Sequence, residues 1–265
     1  MLNKLSRHQL LQIVIGYTLM LLAFKWYNGV LPFQLANAPL FDVSIDNTFW
    51  LFHLTGIPKW IIQQKVLLIV LEVVLVFLGI ASIVKSHKYY CIAFLVLYVF
   101  LDLLQQTYTG TLTKTSVIFP MVFLPFCFSK ALFSFVWKLP RYYLVYLMFS
   151  AALFKILNGG LMHANQMVDI LANQHLDLHY FENHHISKTV SGWLSNHSTI
   201  ANISYWIISV LELSFIALLL TTKADKLLAI CLVFFCVSIY FTLRINTLEI
   251  LYLVIPLLPH FKINE

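Results

Sequence analysis

Apolar runs of about twenty residues recur along this chain, and several hold a charged side chain where one is costly. Between Lys65 and Lys85 the sequence is almost all valine, leucine, isoleucine and phenylalanine, and Glu72 is its one charged residue. A run of that length matches the hydrocarbon thickness of a bilayer crossed as an α-helix. A helix also satisfies its own backbone hydrogen bonds where no water can. The predicted fold class is therefore all-α, a polytopic membrane helical bundle.

Composition supports this reading and removes its main rivals. Of the 265 residues, 60% are hydrophobic and only 11% are charged, against ~25% charged in soluble domains; the mean hydropathy is +0.84. The length then implies about eight spans joined by short loops rather than two globular domains. The formal charge of +6 is not a nucleic-acid footprint, because the basic residues sit at span ends, where the positive-inside rule places them. Cys91, Cys127, Cys231 and Cys236 lie within apolar runs and form no C-x-x-C pair, which argues against a thiol redox motif and for small buried hydrophobes. Lys4 and Arg7 before an apolar run imitate a secretory leader, but the run is long and lacks a small-x-small cleavage site, so it reads as a retained first span.

Charged punctuation places the spans at roughly 9–31, 61–84, 89–110, 115–137, 142–163, 201–222, 227–244 and 247–261. Lys4, Arg7, Lys85, Lys88, Lys130, Lys138, Arg141, Lys223, Lys226 and Lys262 gather on one side, and fewer basic residues on the other. That bias predicts cytoplasmic termini in a bacterial inner membrane, with the long connections 32–60 and 164–200 outside.

The charged residues also repeat in order. Phe24-Lys25-x-x-Asn28-Gly29 is followed by Leu71-Glu72, and Phe154-Lys155-x-x-Asn158-Gly159 by Leu211-Glu212. A basic loop at Lys88 or Lys226 follows each, and then a Leu-Pro step, Leu124-Pro125 or Leu258-Pro259. This order predicts two four-helix repeats, 1–140 and 141–265, related as a parallel duplication. An ionisable side chain in hydrocarbon costs roughly 2.5–3.5 kcal/mol on insertion scales, so it usually has a partner or a task. Counting helical rise puts Lys25 and Lys155 in the outer half of the bilayer and Glu72 and Glu212 nearer its middle. The expected pairs are Lys25–Glu72 and Lys155–Glu212, with Asn28, Asn158, Asp102 and Arg244 as further substrate-binding candidates. Two readings stay open for such pairs. They can form a working site, or they can fix helix packing while the lysines snorkel.

The outer loop at 164–200 is rich in histidine. His175 and His179 are four apart and would share a helical face, a spacing suited to zinc or copper. No H-E-x-x-H signature accompanies them, and a pH-sensitive lid or an amphipathic interfacial segment explains the stretch equally. Trp26, Trp50, Trp60, Trp137, Trp193 and Trp206 fall near span ends, as an aromatic belt would.

The stretch Ala151-Ala152-Leu153-Phe154-Lys155-x-x-Asn158-Gly159, with Leu211-Glu212-Leu213 in the following helix, resembles the A-x-x-K region of vitamin K-dependent carboxylase-like (HTTM) membrane proteins. The four-helix half, with lysine on its first helix and glutamate on its second, also resembles the DoxX/MauE-like group. The resemblance is best over about 142–245. It implies a membrane bundle and gives Lys155 the candidate role of base, because the matching lysine of the carboxylase deprotonates vitamin K hydroquinone. Glu212 would tune its charge. The DoxX/MauE side implies redox-linked work, although no cysteine pair is present for thiol exchange. The leading expectation is an integral membrane protein acting on a quinone or another lipid-soluble substrate through a buried Lys/Glu site. The alternatives are a non-catalytic membrane subunit or maturation factor for a membrane or periplasmic partner protein, and a small transporter.

Overall fold

The computed structural model describes residues 5–35, 52, 54–109, 117–174, 186–243 and 247–257, and among these all regular structure is helical. The chain divides between Trp137 and Lys138 into two compact units.

In the N-terminal unit, α1 (Arg7–Tyr27) starts at Ser6, whose hydroxyl accepts from the Gln9 N–H while the Gln9 side chain accepts from the Ser6 N–H. That capping box satisfies two of the helix's orphan donors. A short helix, α2 (Ile57–Ile62), leads into α3 (Lys65–Lys85) and α4 (Lys88–Thr109). Then come α5 (Ile118–Phe123), a 3-10 turn over Leu124–Cys127 and α6 (Lys130–Val136). α3 packs along α4 and against α1, and α4 also meets the 3-10 turn.

Leu10, Val14, Thr18, Leu21 and Lys25 form the buried stripe of α1, at spacings of three and four. Leu68, Leu75, Gly79 and Ser82 form that of α3, at spacings of seven, four and three. The outer face of α3 is just as apolar: Val66, Val70, Phe77 and Val84 are all exposed. A helix greasy on every side needs hydrocarbon, not water, around it. Behind these helices the rings of Tyr98, Phe119, Phe123, Phe126 and Phe133 follow one another at centroid distances of 3.9, 5.2, 5.7 and 5.3 Å. Arg7 closes that end by donating to the carbonyls of Phe126 and Phe128, each at 2.8 Å, which satisfies groups the 3-10 turn leaves open.

The C-terminal unit begins with α7 (Leu139–Leu157), which has Pro140 in its first turn, where a missing N–H costs nothing. α8 (Gln166–Gln174) and α9 (Ile186–Asn196) follow, then α10 (Ser198–Ser214), α11 (Ala217–Leu220), α12 (Asp225–Leu243) and a 3-10 helix over Leu248–Leu257. α7 lies along α10, and α12 meets the final 3-10 helix. α8 and α9 fold onto α10 and α12 by burying Met167, Leu171 and Leu194 against Ala201 and Tyr205.

Among the described residues five helices are long and apolar enough to cross a membrane: Arg7–Tyr27, Lys65–Lys85, Lys88–Gln106, Ser198–Leu220 and Asp225–Thr242. These fit a multipass membrane protein. Three expected spans have a different character. The run expected over 115–137 is broken into α5, a 3-10 turn and α6, with Pro125, which has no N–H to donate, at the start of the 3-10 turn. The run expected over 142–163 forms α7, but Arg141, Lys155 and the tyrosines 142, 143 and 146 lower its hydropathy below that of the five. The last run is a ten-residue 3-10 helix containing Pro256.

Candidate functional site

The repeated Lys-x-x-Asn-Gly string has a direct structural meaning, because it ends a helix. At the end of α1, Gly29 takes φ of 71°, a left-handed conformation open to glycine. The N–H of Val30 then donates to the Lys25 carbonyl at 3.1 Å, and that of Gly29 to the Trp26 carbonyl at 3.1 Å. α7 ends identically. Gly159 has φ of 68°, Gly160 donates to the Lys155 carbonyl at 2.9 Å and Gly159 to the Ile156 carbonyl at 3.1 Å. This is the Schellman arrangement, which satisfies the last carbonyls of a helix. Both lysines therefore stand in the last turn, where a cation also opposes the helix dipole.

Asn28 and Asn158, expected to bind substrate, are used in the same way. Their side-chain amides donate to the carbonyls of Phe24 at 2.7 Å and Phe154 at 2.9 Å, and both residues are exposed. Four residues back along a helix is the reach of a short polar side chain, so the carbonyl one turn earlier captures the amide.

In the C-terminal unit Lys155 and Glu212 meet as expected. The Lys155 ammonium lies 2.7 and 2.8 Å from the two oxygens of Glu212, so α7 is pinned to α10. Glu212 is 4% exposed and Lys155 20%. The same ammonium sits 5.2 Å from the Tyr205 ring centroid, an added cation–π contact. One lysine thus engages both carboxylate oxygens.

The N-terminal unit departs from expectation. Lys25 does not pair with Glu72; its ammonium donates to Asp102 on α4 at 3.1 Å, and the two side chains are 8% and 5% exposed. The second Asp102 oxygen accepts from Gln106, one turn further along α4, at 2.6 Å. Glu72 on α3 instead accepts the Phe33 N–H at 3.3 Å from the turn that follows α1. The exchange follows from helix azimuth: α4 places Asp102 beside Lys25, while the chain leaving α1 curls back over Glu72.

Lys25, Asp102 and Glu72 all line one cavity of about 450 Å³, within the size range of small-molecule sites. Its walls are largely apolar, with Leu19, Leu22, Val73 and Val76 among them, and the turn residues Leu31, Pro32 and Phe33 border it. Trp26, Tyr98 and Gln105 are also among the lining residues. A cavity of this kind can take a molecule with an apolar body and a small polar head. Gln105, Gln106 and Phe33 were missed from sequence. The two glutamines carried a signal, since Gln106 lies four residues beyond Asp102 inside an apolar helix. Phe33 carried none, because it contributes only its backbone N–H.

Arg244 and the metal candidates His175 and His179 lie outside the described residues. Among the described residues no three histidine, cysteine, aspartate or glutamate side chains gather closely enough to hold a metal. No family model, curated protein or solved structure matches the chain.

Proposed function

We propose that the protein is an integral inner-membrane protein, with both termini cytoplasmic, that binds a lipid-soluble substrate in the cavity of its N-terminal unit. A quinone is the leading candidate from the sequence resemblance to HTTM and DoxX/MauE-like proteins. One observation carries the reading: the buried Lys25–Asp102 pair and Glu72 line an apolar-walled cavity of about 450 Å³. Buried ion pairs seldom stabilise a fold more than apolar residues of the same size would. A pair retained beside a void is thus better explained by a ligand than by packing.

On this reading the two units descend from one four-helix ancestor, eight segments in all. The matched helix ends at Gly29 and Gly159 support it, as do the short apolar helices Ile118–Cys127 and Leu248–Leu257, one in each unit. The working roles divide between the copies. Lys25 and Asp102 orient the polar end of the substrate in the first. Lys155 and Glu212, the expected base and its partner, hold α7 to α10 in the second. A scaffold for a partner protein is the second reading, favoured by the full engagement of both Glu212 oxygens.

The test is ligand binding by the full chain in lipid nanodiscs. A short-tailed quinone should bind to the wild type and at least tenfold more weakly to the charge-neutral double variant Lys25→Met/Asp102→Asn, with thermal stability retained. Unchanged binding in the double variant, or none in the wild type, would overturn the proposal.

A further inference from the structure

We infer that the N-terminal cavity selects an amphiphile with a cationic, hydrogen-bond-donating head, a lipophilic primary amine, and that Glu72 is the residue that recognises it. The inference rests on the reading of this cavity as a ligand site and goes beyond it by naming the head group.

Among the described residues, one lysine and two acids line the cavity, and their formal charges do not cancel. Lys25 and Asp102 are bonded to one another at 3.1 Å, and Asp102 is further held by Gln106. Among the described residues Glu72 has no such cation. Its one hydrogen bond among the described residues is from the Phe33 N–H at 3.3 Å, received on a single oxygen. An ionised carboxylate can accept about four hydrogen bonds, so most of its capacity is unused. An ammonium head supplies three donors and the missing positive charge together, whereas a quinone offers acceptors only.

The surroundings favour the same head. Trp26, Phe33 and Tyr98 border the cavity beside the charged groups, and aromatic faces attract cations. Leu19, Leu22, Val73 and Val76 also line it and provide apolar wall for an alkyl tail. Phe33 joins the two functions, since its N–H steadies the Glu72 carboxylate while the residue itself lines the cavity.

The experiment uses the full chain in phosphatidylcholine nanodiscs, with empty nanodiscs subtracted to remove partitioning into lipid. Dodecylamine, dodecyltrimethylammonium, dodecanol, dodecanoate and a decyl-tailed quinone are titrated in parallel. Dodecylamine should bind at least tenfold more tightly than dodecanol, and dodecanoate weakest. The trimethylammonium probe keeps the charge but lacks donors, so it should fall between amine and alcohol. Lengthening the amine's tail should tighten binding by up to about fourfold per methylene until the cavity is full. In Glu72→Gln the preference for amine over alcohol should drop below threefold. An amine no tighter than the alcohol on the wild type, a measurement that needs no variant, overturns the inference. So does a preference that survives Glu72→Gln. If the quinone binds without any amine preference, only the head-group assignment fails. If no probe binds, the cavity reading fails with it.

Discussion

Removing Lys155 while leaving Glu212 in place asks most directly what the C-terminal pair is for. In the wild type one ammonium lies 2.7 and 2.8 Å from the two carboxylate oxygens. At an effective dielectric constant near 20 the Coulomb attraction across such a gap is about 6 kcal/mol before desolvation is charged against it. Breaking a buried pair by deleting one partner costs about 3–5 kcal/mol in proteins, because the remaining charge is left without compensation. Glu212 is 4% exposed and so feels this fully, while Lys155 at 20% is partly wet already. Because the carboxylate left behind is the more buried of the two groups, the expected cost of Lys155→Met lies near the upper end, about 5 kcal/mol. Replacing both groups with apolar residues of similar volume, Lys155→Met with Glu212→Leu, should bring stability back to within about 1 kcal/mol of the wild type. The assay is reversible unfolding in mixed micelles titrated with a denaturing detergent, run on the wild type, both single variants and the double. A coupling energy of about 2 kcal/mol or more identifies the pair as a packing device. Single variants that each cost under about 1 kcal/mol and simply add would refute the reasoning. The working site would then have to be sought again in the C-terminal unit.

Two further outcomes test how each unit is held together. Gly29→Ala and Gly159→Ala should each cost about 1–2 kcal/mol from backbone strain, since both glycines have positive φ and an added Cβ would meet nothing within 4 Å; asparagine should cost less at either site, and a thermal-melt loss far above this would show packing that the geometry lacks. Arg141 donates to the carbonyls of Leu218 and Thr221 and to Asp225, at 2.6–2.9 Å. Arg141→Lys keeps the charge but loses the fork, so it should cost about 1–3 kcal/mol, and a variant as stable as the wild type in the same assay would refute that role.

Much about this protein is decided one segment at a time, and that part is legible in the order of its residues. Long apolar runs dictate helices suited to a bilayer, since a backbone in hydrocarbon must bond to itself. Where those helices stop is equally local. Lys-x-x-Asn-Gly closes α1 and α7 because glycine alone enters the left-handed region cheaply and asparagine reaches the carbonyl one turn back. The prolines were less readable: a full span was expected over 115–137, and the apolar helix there is the short Ile118–Cys127. The partners of the charges are a different matter. Lys155 finds Glu212, yet Lys25 takes Asp102 and leaves Glu72 to a backbone N–H. Helical periodicity gives a residue's depth and its face, but not the rotation of one helix against the next, and that rotation decides which acid a lysine meets. The cavity is likewise a property of packing. It exists because α1, α3, α4 and the turn at Phe33 leave space between them, which no single segment encodes.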